Sequence, residues 1–293
     1  MNNNLSVESF VQTYLEEIGT KPQARFVSES LLREQVTGLA DTMANGIPLF
    51  ARLNLTIDHS SLLSFAKELE SFLFLNSCEN VHSTISCLSS PQDSSNPISY
   101  FAQRVLKGDG SYISTLSKTH NIPLDILAFF GVYLVRPIRQ QVRKILETEH
   151  AFSQWRLGYC PVCGLWPRMS RIEPEYGRRF LWCIGCNGEW QFPRLSCPFC
   201  FEKSQDKLGY LIVEDWSNYR IYTCDNCHHY LKTRDERQPA RIKADNFDIE
   251  YLSTSTLDKA ATQEKYIMDF VVSSAFDMKD NESARAYKER ALS

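Results

Sequence analysis

The chain has 293 residues, ten of them cysteine, and a formal net charge of −3 at pH 7. This length can bury a substantial core and predicts one large or two medium domains. The near-neutral charge does not indicate a nucleic-acid or membrane-surface protein. The most apolar run, 122–135, contains Asp125 and is too short to cross a bilayer, and residues 1–6 lack a signal-peptide pattern. We therefore expect a soluble cytoplasmic protein without membrane contact, in which thiols stay reduced.

The first half of the chain is predicted to be helical. Apolar residues recur at helical spacing over 5–18, over 24–43 and, after the N-cap residue Asp58, over 62–73. A Ser- and Asn-rich stretch, 76–97, predicts a loop in which Cys78 and Cys87 are ordinary free cysteines. Helical patterns return over 98–106, 112–119 and 123–149, and Pro137 should kink or divide the last helix. Residues 1–152 are therefore predicted to form an α-helical domain, and no catalytic motif lies in it.

The composition changes after this domain. All five tryptophans lie between Trp155 and Trp216, and helical periodicity disappears. Short β-type runs occupy 178–182, 208–213 and 219–223, and the last two flank a hairpin turn at 214–218. We predict a second domain over 153–245 and a C-terminal extension over 246–293.

Eight of the ten cysteines form four CxxC pairs within this second domain. The pairs are Cys160/Cys163, Cys183/Cys186, Cys197/Cys200 and Cys224/Cys227. The first two pairs are 19 residues apart and the last two are 23 apart, close to the spacing of zinc ribbons. Sequential pairing predicts two four-cysteine sites, in ribbons over 153–193 and 194–245, although spacing alone also permits crossed or nested pairing. The fold class is then α+β: a helical domain followed by two four-cysteine modules of zinc-ribbon type.

Two CxxC turns supply the four ligands of a tetrahedral ion. Four thiolates suit zinc and also a single iron, so two metal ions, iron or zinc, are the predicted cofactors. A site filled by protein thiolates has no open position for a substrate, which argues against hydrolytic catalysis. We therefore expect no enzyme activity, and the metals could be purely structural.

Other polar residues near the pairs have more than one reading. His228 and His229 follow the fourth pair, but eight sulfurs already fill two sites, so a supporting or surface role is expected. Trp190 could belong to a partner-binding surface or cap the second knuckle. The second domain carries 14 Lys or Arg against 10 Asp or Glu over 153–243, a local charge of +4 without a dense basic cluster. This permits nucleic-acid contact but does not favour it.

The cysteine pairs have distinctive flanking segments over about 159–245. They are Cys160-Pro161-Val162-Cys163-Gly164 with Pro167, Gly177 to Cys183, Cys186 to Trp190 with Arg194, Cys224 to Lys232, and Ala244-Asp245. These segments resemble those of the formate dehydrogenase accessory proteins of the FdhE family. The sequence departs from the family pattern at Tyr222, Asn246 and Phe247, as expected for a divergent member.

The resemblance implies a cytoplasmic maturation factor that binds the catalytic subunit of formate dehydrogenase. It also implies rubredoxin-like metal sites, so iron competes with zinc. On this reading we expect the partner surface at Glu189, Trp190, Arg194, Tyr230 and Lys232. Alternative functions are a zinc-ribbon nucleic-acid binder, a thiol-redox chaperone and a rubredoxin-like redox protein. Homodimer formation stays open.

Overall fold

The computed structural model describes residues 26–39, 43, 45–75, 97–148, 154–239 and 247–268. Within these ranges the chain forms seven α-helices, a short 3-10 turn at Leu49–Ala51 and six β-strands. The helices are α1 (Glu29–Gly38), α2 (His59–Leu75), α3 (Pro97–Leu106), α4 (Gly110–His120), α5 (Leu124–Thr148), α6 (Phe247–Ser253) and α7 (Ser255–Gln263). The strands are β1 (Met169–Ile172), β2 (Arg179–Trp182), β3 (Glu189–Phe192), β4 (Leu208–Leu211), β5 (Tyr219–Cys224) and β6 (Tyr230–Asp235). The predicted α+β class is confirmed.

Helix α5 is the centre of the helical half. Helices α1 to α4 each pack against it, and buried side chains lie all around its axis, as expected for a helix surrounded by protein. The helix continues through Pro137, so it is not divided there as the sequence allowed. Each of helices α1 to α5 overlaps a predicted helical stretch; the predicted helix over 5–18 lies outside the described residues, as do Cys78 and Cys87.

The six strands form one sheet in the order β3-β2-β1-β6-β5-β4. Strands β1 to β3 form one antiparallel group and β4 to β6 form another. The two groups join where β1 and β6 pair in parallel, with Met169 opposite Lys232 and Ile172 opposite Asp235. The two ribbons therefore share one continuous sheet.

Helix α6 connects the sheet to the helical half. The Arg136 guanidinium of α5 donates two hydrogen bonds to the buried Asp248 carboxylate of α6, at 2.9 and 2.6 Å. The ring of Phe247 stacks on Trp182 of β2 with 5.6 Å between centroids. The predicted boundaries at 152 and 245 fall in segments outside the described residues and stay predictions. In the described ranges, no helix combines the length and apolar character that spanning a bilayer requires.

Candidate metal centres

All four CxxC segments adopt the same backbone turn. The N–H of the first cysteine donates to the carbonyl five residues later, at 2.9 to 3.1 Å in the four turns. The residue after the second cysteine donates back to the carbonyl of the first, at 2.8 to 2.9 Å. Each pair is thereby held in a tight knuckle, with both sulfurs on one short turn.

The residue that closes each knuckle has a left-handed backbone. These residues are Gly164 (φ 71°), Asn187 (φ 57°), Phe201 (φ 61°) and His228 (φ 57°). Glycine and asparagine adopt this conformation readily, as the sequence predicted for the first two knuckles. Phenylalanine and histidine do so at a cost of about 1–2 kcal/mol. The knuckles of the second ribbon are therefore more strained than those of the first.

The structure groups the eight sulfurs in sequential pairs. Cys160, Cys163, Cys183 and Cys186 form site 1, and Cys197, Cys200, Cys224 and Cys227 form site 2. Within each site all sulfurs lie within 4.8 Å of one another. The Sγ atoms of Cys160 and Cys186, of Cys197 and Cys227, and of Cys200 and Cys224 are 3.6 Å apart.

These distances fit metal ligation better than disulfide bonding. A disulfide would bring two sulfurs to about 2.05 Å. Four sulfurs at about 2.3 Å from a tetrahedral zinc ion are about 3.8 Å from one another. Each group could therefore hold one metal ion, and the geometry does not select iron or zinc.

Crowding and burial change the acidity of the thiols. Burial raises the pKa of Cys160 and Cys163 well above the ordinary value, because an anion in the interior has no water to solvate it. Burial also opposes ionisation of Cys183, but hydrogen bonds from its three neighbours outweigh it and lower its pKa. In site 2, the contact with Cys197 and then burial raise the pKa of Cys200 to about 12. A divalent cation would supply the charge that holds all four sulfurs as thiolates.

Site 1 is enclosed by the helical half. Its four cysteines are buried. The N–H groups of Leu49 and Phe50, in the 3-10 turn, donate to the carbonyls of Pro161 and Val162 in the first knuckle, both at 3.1 Å. This part of the helical half therefore forms direct backbone hydrogen bonds with the knuckle.

Helix α5 approaches site 1 from another direction. A Cβ on Gly185, in the second knuckle, would lie 3.0 Å from Nη1 of Arg139 and 3.4 Å from the Cys163 sulfur. A Cβ on Gly188 would lie 2.9 Å from the Arg143 side chain. The absence of side chains at Gly185 and Gly188 thus allows α5 to place two arginines against the site.

Arg139 is fully buried, with an exposed fraction of 0%. Its Nη2 donates to the Val105 carbonyl at 2.8 Å, while its Nε and Nη1 have no hydrogen-bond partner among the described residues. Four thiolates around a divalent ion carry a net charge of −2, so this guanidinium is placed to compensate part of it.

Site 2 is more open. Cys200 and Cys227 are partly exposed. The Asn226 side chain donates to the Cys200 sulfur at 3.5 Å. The ring of His229 stacks on Phe199 at 4.7 Å between centroids, and its Nδ1 lies 2.9 Å from the Cys227 carbonyl oxygen. The main chain at Ile267, after α7, pairs with the fourth knuckle through the His228 carbonyl.

The five residues expected at a partner surface are not all exposed. Trp190 is buried and donates to the Leu157 carbonyl at 2.8 Å. Lys232 is buried with its ammonium 2.8 Å from Asp258, and the Tyr230 hydroxyl bonds the same carboxylate. Glu189 is half-buried in an ion pair with Arg171, and Arg194 alone of the five is exposed.

Sequence reasoning gave no role to two buried arginines near the sites, although Arg179 belongs to the segment Gly177 to Cys183 that resembles the FdhE pattern. Arg139 lies in α5, a region predicted only as helix, and Arg179 lies in a strand just before the second knuckle. A charged residue within the apolar pattern of α5 was the one available signal for Arg139. For Arg179, the surrounding Arg178 and Phe180 conceal which side chain faces inward.

No family model matches the chain. A protein FdhE homolog from Aquifex aeolicus is 32% identical over 146 residues, which cover 49% of this chain and 50% of the relative. Protein FdhE from Escherichia coli K12 is 34% identical over 111 residues, 37% of this chain and 34% of the relative. The matches thus span about half and about a third of the length of these relatives.

The crystal structure of the FdhE protein from Pseudomonas aeruginosa has the same fold. The match has a TM-score of 0.56 at 17% sequence identity and covers 90% of this chain and 87% of the other. The chain is therefore similar in sequence to FdhE proteins over part of its length and shares the fold of one of them.

Proposed function

We propose that this protein is a non-enzymatic accessory factor for the maturation of formate dehydrogenase. It would bind the catalytic subunit of that enzyme in the cytoplasm through the surface of its metal ribbons. The observation that carries the proposal is the pair of four-sulfur sites, each complete without a ligand from outside, on one sheet that also presents exposed apolar side chains.

The proposed contact surface lies around site 2. Arg194 is exposed, and its neighbour Leu195 exposes 66% of its surface. Tyr210 and Ile212, at and just after the end of β4, are 56% and 61% exposed. Large apolar side chains grouped with a cationic residue are typical of protein contact surfaces. Because Trp190, Tyr230 and Lys232 are buried, in this proposal they hold neighbouring segments in place and do not contact the partner.

A pull-down with purified formate dehydrogenase catalytic subunit tests the proposal. We expect Arg194→Ala/Leu195→Ala to recover much less subunit than the wild-type protein, with metal content and melting temperature unchanged. Leu31→Ala is the matched control, because Leu31 is a 53% exposed apolar residue on α1. If the double variant recovers as much catalytic subunit as the wild-type protein, the surface assignment is wrong. If the wild-type protein recovers no catalytic subunit, the proposed partner is wrong.

The proposed cofactors are one metal ion, iron or zinc, in each site. Metal analysis combined with an absorption spectrum separates the two. A red protein that bleaches with reductant indicates four-thiolate iron and keeps a rubredoxin-like electron-transfer role open, whereas a colourless protein with two zinc ions per chain indicates a structural role. Binding to DNA or RNA that falls steeply with salt would favour the nucleic-acid alternative instead.

A further inference from the structure

A cavity of about 240 Å³ opens beside site 2. It lies between the third knuckle and strands β4 and β5. Its wall includes Arg179, Arg194, Ser196, Phe199, Tyr210 and Tyr222, and the site 2 ligands Cys197 and Cys224 also contribute to the lining. The cavity is therefore next to the metal site, but most of its wall comes from residues that are not metal ligands.

The wall contains hydrogen-bond donors that lack acceptors. Arg179 is only 2% exposed, and its Nη2 has no hydrogen-bond partner among the described residues. Its other nitrogens make long contacts to neutral oxygens: Nε to the Ser170 hydroxyl at 3.4 Å, and Nη1 to the carbonyls of Arg194 and Ser196 at 3.5 and 3.4 Å. The Ser196 hydroxyl is also buried without a partner in the described ranges. Buried donors of this kind are costly unless an acceptor satisfies them.

The wall supplies two cationic groups that can pair with an anionic acceptor. Among the described residues that line the cavity there is no aspartate or glutamate, whereas Arg194 adds a second guanidinium. Burial lowers the pKa of Arg179 to about 10, so it stays protonated at neutral pH. The thiolates of Cys197 and Cys224 act against an anion, and a divalent ion in site 2 would leave a net charge of −2 there, which the two guanidinium groups offset. A carboxylate can accept from a guanidinium through two parallel hydrogen bonds, which a neutral amide cannot match.

The remainder of the wall is mostly apolar, which favours a carboxylate that is flanked by apolar groups. Phe199, Tyr222, Leu208 and Leu231 line the interior, and the exposed side chains of Leu195 and Tyr210 are also part of the lining. Pockets for whole small ligands have volumes of about 300–1,000 Å³, so this cavity is sized for one or two side chains of a larger molecule.

We propose that the cavity binds an acidic side chain, flanked by apolar residues, from a segment of a partner polypeptide. The carboxylate accepts from Arg179 and Ser196, and the apolar neighbours pack on Leu195 and Tyr210. The inference adds detail to the proposed function. It rests on that function only in naming the polypeptide that supplies the segment.

The test uses the full metal-loaded chain and a matched pair of synthetic peptides. Ac-Leu-Glu-Phe-NH₂ carries the carboxylate, and Ac-Leu-Gln-Phe-NH₂ replaces it with a neutral group of the same shape. Ligand-observed NMR titrations should show the Glu peptide binding about tenfold more tightly than the Gln peptide, the factor expected for one charge-assisted hydrogen-bond pair. Equal binding of the two peptides, or no binding of the Glu peptide, overturns the proposal.

Two variants locate the binding site. Arg179→Met keeps the apolar volume and should reduce Glu-peptide binding to the level of the Gln peptide, with two metal ions per chain retained. Because a buried substitution can impair folding, Arg194→Met provides a second reading and should cause a smaller loss that is specific to the Glu peptide. Leu31→Ala should change neither titration. Glu-peptide binding that survives both arginine substitutions overturns the assignment to this cavity.

Phenylacetate distinguishes a free small carboxylate from a peptide side chain. If phenylacetate competes with the Glu peptide, both carboxylates bind at the same site, which supports the proposal. If phenylacetate binds but the Glu peptide does not, the ligand is not a polypeptide segment and the proposal is overturned. The catalytic-subunit pull-down is read separately. Peptide binding combined with a failed pull-down would overturn the proposed partner and leave this inference standing.

Discussion

Site 1 and site 2 share one knuckle geometry but differ in what surrounds them. Site 1 is buried against the 3-10 turn and helix α5, so backbone hydrogen bonds and a buried arginine link it to the helical half. Site 2 has two partly exposed cysteines and a cavity beside it. A metal in site 1 would therefore act mainly on the stability of the whole protein, whereas site 2 is the one available to a partner.

Removing one cysteine ligand, either from site 1 or from site 2, should produce the largest difference in thermal stability between two variants. Structural zinc contributes about 10–16 kcal/mol to folding in zinc-finger peptides, as much as the entire stability of a typical domain. We expect Cys183→Ser to lower the melting temperature of the helical half as well as of the ribbons, because site 1 packs on both. Cys224→Ser should leave one metal ion per chain and a helical half that melts normally.

Circular dichroism melts and metal analysis of the two variants make this comparison. Cys183→Ser and Cys224→Ser both replace the first cysteine of the knuckle at the end of β2 or β5, so they are matched in position. Identical losses of helical melting temperature would show that the two sites contribute equally to the core.

Gly158 tests whether the two sites are independent. It lies just before the first knuckle, and a Cβ there would be 1.7 Å from the Pro198 carbonyl oxygen in the third knuckle. Since both groups are backbone, neither can move aside cheaply, and Gly158→Ala should cost about 3 kcal/mol in urea unfolding. Gly38→Ala on α1 is the control, because nothing lies within 4 Å of its Cβ position, and it should stabilise by roughly 0.5–1 kcal/mol. A neutral Gly158→Ala would mean that the two knuckles can separate.

Arg139 tests the role of the buried charge at site 1. Arg139→Met should weaken metal binding at site 1 by about 10- to 100-fold in a chelator competition, the range typical for residues that support metal ligands. Site 2 should keep its affinity. Without metal the same variant should lose little stability, because an unpaired buried charge has been removed. Arg143→Met should have a smaller effect, since Arg143 is partly exposed and paired with Glu147.

The smallest expected effects come from substituting the residues that close the second and fourth knuckles. His228 is exposed and has φ 57°, so His228→Gly should relieve backbone strain and stabilise by about 1 kcal/mol. Asn187 has the same φ, but its side-chain oxygen accepts from the Trp182 indole at 2.6 Å. Asn187→Gly should therefore destabilise, as measured by urea unfolding at constant metal occupancy. Effects of the same sign would show that strain does not distinguish the two ribbons.

Local patterns explain why parts of the fold were predictable. Each knuckle is a turn of a few residues, so its cysteine spacing, proline and closing residue can be read from one segment. Strands β2, β4 and β5 were predicted because they carry apolar and aromatic runs. Strands β1, β3 and β6 were missed; they include the charged residues Arg171, Glu189 and Lys232. The structure satisfies those charges with distant partners, such as Arg171 with Glu189 and Lys232 with Asp258.

The expected partner surface shows the limit of the same reasoning. Trp190 and Lys232 stand beside the cysteine pairs in a form that suits a surface, yet both are buried. Trp190 contacts Leu157, which is 33 residues away in the chain, and Lys232 contacts Asp258 of α7, which is 26 residues away. Exposure is a property of the packed molecule, so neighbouring sequence did not determine it.

The sequence by itself determined the eight candidate ligands, their division into four knuckles and the α+β class, because these follow from spacing and periodicity within short segments. Only the tertiary structure decided how the sites differ. The parallel pairing of β1 with β6, the contact of α5 with Gly185 and Gly188, and the cavity around Arg179 each join segments far apart in the chain. Burial of charge and access of solvent depend on those contacts, and they are what separate an enclosed site from one that a partner can reach.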